Sequence, residues 1–173
     1  MKKYIVLLRG INVSGKNKLP MADLRQMLDD LGFYNVQTYI QSGNIILQSV
    51  KSKSEIVKMI QEGILTKFKY DVPVIVKTRN ELEKAVENYP YPKENEKIVG
   101  FCFLEKSIST KEIEFNNKGK DEFLIDGDVI YFFCPNGFGR SKLTNNLFEK
   151  KLQVKATTRN LRTTLKLLEL VTK

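Results

Sequence analysis

The chain has 173 residues, with 29 Lys and Arg against 20 Asp and Glu, a formal charge of +9 and no histidine. That length suits one domain or two intimately packed small ones, and 42% apolar with 28% charged residues excludes wholesale disorder. Without histidine there is no general base of the commonest kind, no usual zinc ligand and no Ser-His or Cys-His nucleophile pair.

Lys2 and Lys3 followed by the apolar run Tyr4 to Leu8 have the look of an export signal, but the run stops at Arg9 after five residues. It is too short for a signal core or a membrane span, so a cytoplasmic protein with no membrane partner is expected. Residues 3–11 carry apolar side chains on both faces, which predicts a central strand covered on both sides. Pro20 opens a helix as its first residue; Leu24, Met27, Leu28 and Leu31 follow at i, i+3, i+4 and i+7, and Gly32 stands at the stop. Strands 36–41 and 44–49 flank a turn at Ser42-Gly43. Ser52 and Glu55 make a capping box ahead of Ile56, Met59, Ile60 and Ile64, and residues 72–77 form a closing strand. The order βαββαβ is the ferredoxin-like arrangement.

The remainder repeats that pattern less clearly. Thr78 and Glu81 cap a linking helix through about Val86, and Pro90 and Pro92 keep 89–97 as loop. A strand is expected at 98–104, a short helix capped by Ser109 and Glu112, and a hairpin of strands 122–126 and 129–134 turning on Asp126-Gly127. Two helices, around 141–152 and 160–171, finish the chain. The predicted fold is α+β, two packed ferredoxin-like halves of the βαββα type: 1–78, a linking helix and loop at 79–97, and 98–173.

Cys102 and Cys134 lie inside apolar runs and read as buried, reduced thiols; two cysteines make no zinc site, and neither metal nor cofactor is expected. Gly10 to Asn17 fits the phosphate-loop pattern except at its last position, where Asn17 replaces the magnesium-binding hydroxyl. Lys18, Leu19 and Pro20 also separate it from its helix, which argues against an NTPase but leaves a loop able to hold a phosphate beside Arg9 and Lys16. Its plain alternative is a glycine-bearing connection with solvated cations. Tyr39, Gln41, Ser42 and Asn44 concentrate hydrogen-bonding groups at one turn, although turn chemistry alone is the favoured account of them. Asn136, Arg140 and Lys142 lie in a second Gly-rich loop expected to enter a helix, where an anion would explain cations set against the macrodipole. Thr158, Arg159 and Asn160 precede the last helix, with Thr157 or Thr158 as its expected N-cap. Residues 1–22 hold five cations and no acid, a distribution that favours polyanionic partners. IVLLRG and NIILQS carry no aromatic residue, which counts against RNA bound across that sheet.

The strings LLRGINV (7–13), KLPMADLR (18–25), TYIQSGN (38–44), PNGFGRSKLT (135–144) and ATTRNLRT (156–163) together resemble the bacterial family called domain of unknown function 1697. The resemblance implies a small cytoplasmic α/β protein of ferredoxin-like character, and no activity. It singles out Arg9, Asn12, Asn17, Gln41, Ser42, Asn44, Asn136, Arg140, Ser141, Lys142, Thr157, Thr158, Arg159 and Asn160. Leu161 stands where relatives usually carry tryptophan, which a core role tolerates better than a ligand platform. The expected function is binding of a phosphate-bearing ligand, nucleic acid or phosphorylated small molecule, through Arg9, Asn12, Lys16, Gln41, Ser42, Asn44, Asn136, Arg140, Lys142, Thr158, Arg159 and Asn160. A metal-independent enzyme acting on an anionic small molecule and a protein-binding module are the alternatives. No motif fixes the oligomeric state.

Overall fold

Strand β1 (Lys2–Leu8) sends Tyr4, Val6 and Leu8 toward helices α1 (Met21–Asp30) and α2 (Lys53–Phe68), and Ile5 and Leu7 to the opposite face; all five are buried. The computed structural model describes residues 1–109 and 119–173. With β2 (Tyr34–Tyr39), β3 (Asn44–Ser49) and β4 (Val74–Lys77), β1 forms an antiparallel sheet in the order β2-β3-β1-β4. This is the sheet that βαββαβ connectivity demands. Helix α3 (Arg79–Glu87) follows β4, and β5 (Val99–Leu104), β6 (Glu122–Asp126), β7 (Val129–Phe133) and β8 (Ala156–Asn160) form a second antiparallel sheet, β6-β7-β5-β8. Helix α4 (Asn145–Leu152) precedes β8, and α5 (Leu161–Thr172) ends the chain. The chain divides into two compact units, Met1–Leu82 with Leu167–Lys173, and Glu83–Lys166. The fold is α+β in two halves, as the element order predicts.

Helix α1 starts one residue later than expected, with Pro20 at the N-cap, and buries Leu24, Met27 and Leu28. Its end is a Schellman motif: Phe33 N donates to Leu28 O at 3.2 Å and Gly32 N to Asp29 O at 2.9 Å. The Ser52–Glu55 capping box is present, and so is its counterpart at α3, where Thr78 N and Oγ1 both donate to Glu81 Oε2. Lys53 Nζ also donates to Glu81 Oε1, tying the starts of α2 and α3 together.

In the second unit β5, β7 and α4 enclose a core that includes Phe132, Phe148, Cys102 and Cys134. Phe101, Phe103, Tyr131, Phe132 and Phe148 are almost wholly buried, each adding about 1.5–3 kcal/mol relative to exposure. Both cysteines are free and buried, and burial pushes the Cys134 thiol up, away from thiolate. The β6–β7 hairpin turns on Gly127-Asp128, one residue beyond the expected pair.

Three expectations need correction. The segment ATTRN is strand β8, pairing with Gly100 to Leu104, not a loop before the last helix. Asn160, not Thr157 or Thr158, caps α5: its Oδ1 accepts from Thr163 N at 2.9 Å. Helix α4 begins at Asn145, four residues later than expected, where the Thr144 side chain caps it by accepting from Leu147 N; Phe138–Arg140 forms a separate 3-10 turn before it. The short helix expected from Ser109 and Glu112 falls outside the described residues.

That 3-10 turn packs closely on the sheet. A Cβ at Gly100 would stand 2.6 Å from the Phe138 ring. Gly100→Ala should therefore destabilise the protein by about 1–3 kcal/mol through overpacking, read as a lower urea midpoint at unchanged slope. At Glu81 burial opposes the charged form, but hydrogen bonds from Lys53 and Thr78 outweigh it and hold the carboxyl below its usual range. A group depressed in the folded state contributes stability above its unfolded value and loses it as pH falls through the folded one. Glu81→Gln should lower stability at neutral pH and flatten the acid limb of a stability–pH curve measured by urea titration.

Candidate functional site

Residues between β1 and α1 turn back on themselves. Asn12 N donates to Asn17 O at 3.1 Å, and Lys16 N to Val13 O at 2.9 Å, with Val13 and Lys16 bridged antiparallel. Ser14 (φ 49°) and Gly15 (φ 75°) occupy the corner of this two-residue turn, a position that requires left-handed backbone at both. The glycine-lysine string that matches a phosphate loop is thus a small hairpin, not a cradle running into a helix, and α1 starts beyond it at Met21. Lys16 and Lys18 are exposed, and among the described residues neither has an ion-pair partner. Arg9 is half-buried, with its Nε shielded from solvent.

Asn12 joins this hairpin to the turn between β2 and β3. Its Nδ2 donates to Leu19 O at 3.0 Å and to Gln41 O at 2.9 Å, while its Oδ1 accepts from Leu19 N at 2.8 Å. Both groups of the Asn12 amide are spent on main chain, and Asn17 Nδ2 donates to Gly10 O at 2.9 Å. Asn44 is buried and donates to Tyr39 O and to Ser42 Oγ. Gln41 offers an exposed side chain. Gly43 O accepts from Leu8 N at 2.8 Å, and a Cβ at Gly43 would lie 2.6 Å from Leu8 Cβ, so only glycine lets this tip rest on the end of β1.

Two apolar residues absent from the sequence expectation flank this junction. Val13 is 57% exposed and Ile40 is 51% exposed. Ile40 is expected inside strand 36–41, but β2 ends at Tyr39 and Ile40 has φ 49°, a conformation that β-branched residues rarely adopt. The Ser-Gly pair signals the turn; nothing in the sequence places Ile40 within it.

The other six expected residues lie in the second unit. Asn136, Arg140 and Lys142 are exposed, in the turns before α4. Thr158 Oγ1 donates to Asn145 Oδ1 at 2.6 Å, which also takes the Cys102 thiol at 3.6 Å. Arg159 is in β8, directly opposite Phe101, and is buried rather than presented by a loop. Its guanidinium donates to Thr157 Oγ1 and Thr158 O, and burial pulls it down to about 10, still charged at neutral pH. Leu161 is buried, the core role that tolerates leucine.

Aromatic residues do line the two central strands of this second sheet, a feature that inspection of β1 and β3 alone misses. Phe101, Phe103 and Tyr131 are buried, however; the Tyr89 ring lies 5.3 Å from Phe101 and 5.9 Å from Tyr131, and its hydroxyl donates to Phe132 O. They offer no open stacking platform. Two small hollows also lie away from the expected residues. One of about 190 Å³ is bordered by Lys3, Asn35, Gln37 and Gln48, and one of about 220 Å³ by Glu105, Glu149, Gln153 and Lys155. In the latter Glu105 and Glu149 already accept from Lys155 N and Ala156 N.

Two halves, each built on a four-stranded antiparallel sheet, define the class as an α+β protein. The model of the family described as "Protein of unknown function (DUF1697)" matches residues 1–131, and the chain belongs to that family. Its fold is similar to that of the conserved bacterial protein SP0830 from Streptococcus pneumoniae, with 25% identity, 98% of each chain covered and a TM-score of 0.75. Comparison with curated proteins finds no match.

Asn12→Ala removes three hydrogen bonds and places alanine at φ 53°. It should cost about 2–4 kcal/mol in a denaturant titration, with Asn12→Gly less damaging if backbone strain contributes.

Proposed function

We propose that the protein binds a phosphate-bearing ligand, nucleic acid or nucleotide, at the paired loops of its first unit. One observation carries this reading: Asn12 fastens a lysine-bearing hairpin to the β2–β3 turn, so that Lys16 and Lys18 project from a braced base. Such cations at backbone-rich turns suit phosphate oxygens, and the +9 charge supplies a field that draws polyanions in. Arg140 and Lys142 contribute a second exposed basic loop on the other unit.

Fluorescence anisotropy with labelled single- and double-stranded oligonucleotides, and competition by nucleotides, tests the proposal. Binding is expected at about 50 mM salt and should weaken steeply by about 200 mM through counterion release. Replacing Lys16 and Lys18 by alanine should lower the salt slope by about two. No binding of any of these probes by the native protein at the lower salt overturns it.

A further inference from the structure

Ile40 is a residue that its own fold does not reward. Its left-handed backbone costs about 1–2 kcal/mol, which glycine would avoid at such a turn, and half of its side chain lies in solvent. Val13 is more exposed still. The two belong together: Val13 follows Asn12, Ile40 precedes Gln41, and Asn12 Nδ2 donates to Gln41 O at 2.9 Å. Standard chain geometry then keeps their Cα atoms within about 16 Å of each other. Lys16 is bridged to Val13 in the same hairpin, and Lys18 lies just beyond it.

From this we infer that Val13 and Ile40 pack against exposed bases of a single-stranded nucleic acid whose phosphates lie on Lys16 and Lys18. The inference rests on the polyanion reading and narrows it. Lysines alone suit any phosphate chain. Two solvent-facing aliphatic side chains in the same pair of loops would gain from an apolar partner, and unstacked bases provide one along a single strand. A duplex keeps its base faces stacked inside and presents mainly phosphate and sugar to a protruding turn. The aromatic residues at the centre of the second sheet are buried and offer bases no platform.

The test compares a labelled single strand, an abasic strand of equal length and the corresponding duplex, at one salt concentration and then across a salt series. The proteins are wild type, Ile40→Gly, Val13→Ser and the Lys16→Ala/Lys18→Ala pair. Wild type should prefer the base-bearing strand to the abasic one by about fivefold or more, in line with modest stacking per base, and should prefer it to the duplex. Ile40→Gly should raise the thermal midpoint yet abolish most of that preference, and Val13→Ser should reduce it; neither should change the salt slope. Equal binding of base-bearing and abasic strands by wild type, a preference for duplex, or an unaltered preference in both apolar variants overturns the inference. If the lysine pair still weakens binding in those cases, the polyanion reading stands without it. If wild type binds none of the probes, both fall.

Discussion

Burial of both faces of each sheet governs where this protein can place chemistry. Ile5 and Leu7 are as hidden as Tyr4, Val6 and Leu8, and Phe101 and Phe103 as Cys102 and Leu104. A side chain at the middle of either sheet meets other side chains, not solvent. Polar groups are consequently driven to strand ends and turns, where main-chain donors and acceptors run out of ladder partners. The first unit shows the result in the residues after β1 and between β2 and β3.

Polar residues that do enter the sheets are consumed there. Asn44 joins Tyr39 O to Ser42 Oγ, and Thr158 shares Asn145 with Cys102. Arg159 carries its charge onto the aromatic face of β5 and anchors on the Thr157 hydroxyl and its neighbouring carbonyl. These residues resemble site residues in a sequence because they are polar among apolar neighbours. In the fold they answer a different demand, since an unsatisfied buried donor costs more than a typical hydrogen bond returns. Lys16, Lys18, Arg140 and Lys142 answer no such demand among the described residues.

Helices are legible because their cores repeat with the helical period: Leu24, Met27 and Leu28, then Ile56, Ile60 and Ile64, are buried as that spacing requires. Hairpins are legible from turn pairs. Strand β8 is not, because Ala-Thr-Thr-Arg-Asn has no apolar alternation; its β-branched threonines suit the pleat, but their partners lie more than forty residues away in sequence or across α4. The glycine-lysine loop misleads for a related reason. Its string matches a phosphate cradle, while its conformation depends on left-handed Asn12, Ser14 and Asn17, which the string does not specify. Family membership is readable from separated strings, three of which lie within the matched residues 1–131; the spent or free state of each polar side chain is not, since that depends on which groups the fold brings together.

The bond from Asn12 to Gln41 spans 29 residues, whereas the turns that it connects are each closed by near neighbours. Each turn is local, but their junction requires the β1–β3 pairing that sets Leu7 opposite Asn44. A junction made by a solvent-exposed hydrogen bond between turns belongs to the low-stability end of native fluctuations, where two tips can separate without unfolding the sheet. Amide protons there would exchange through brief local opening rather than global unfolding. A molecule lying across both tips would suppress that opening, so occupancy would be visible in exchange rates far from any change in the core.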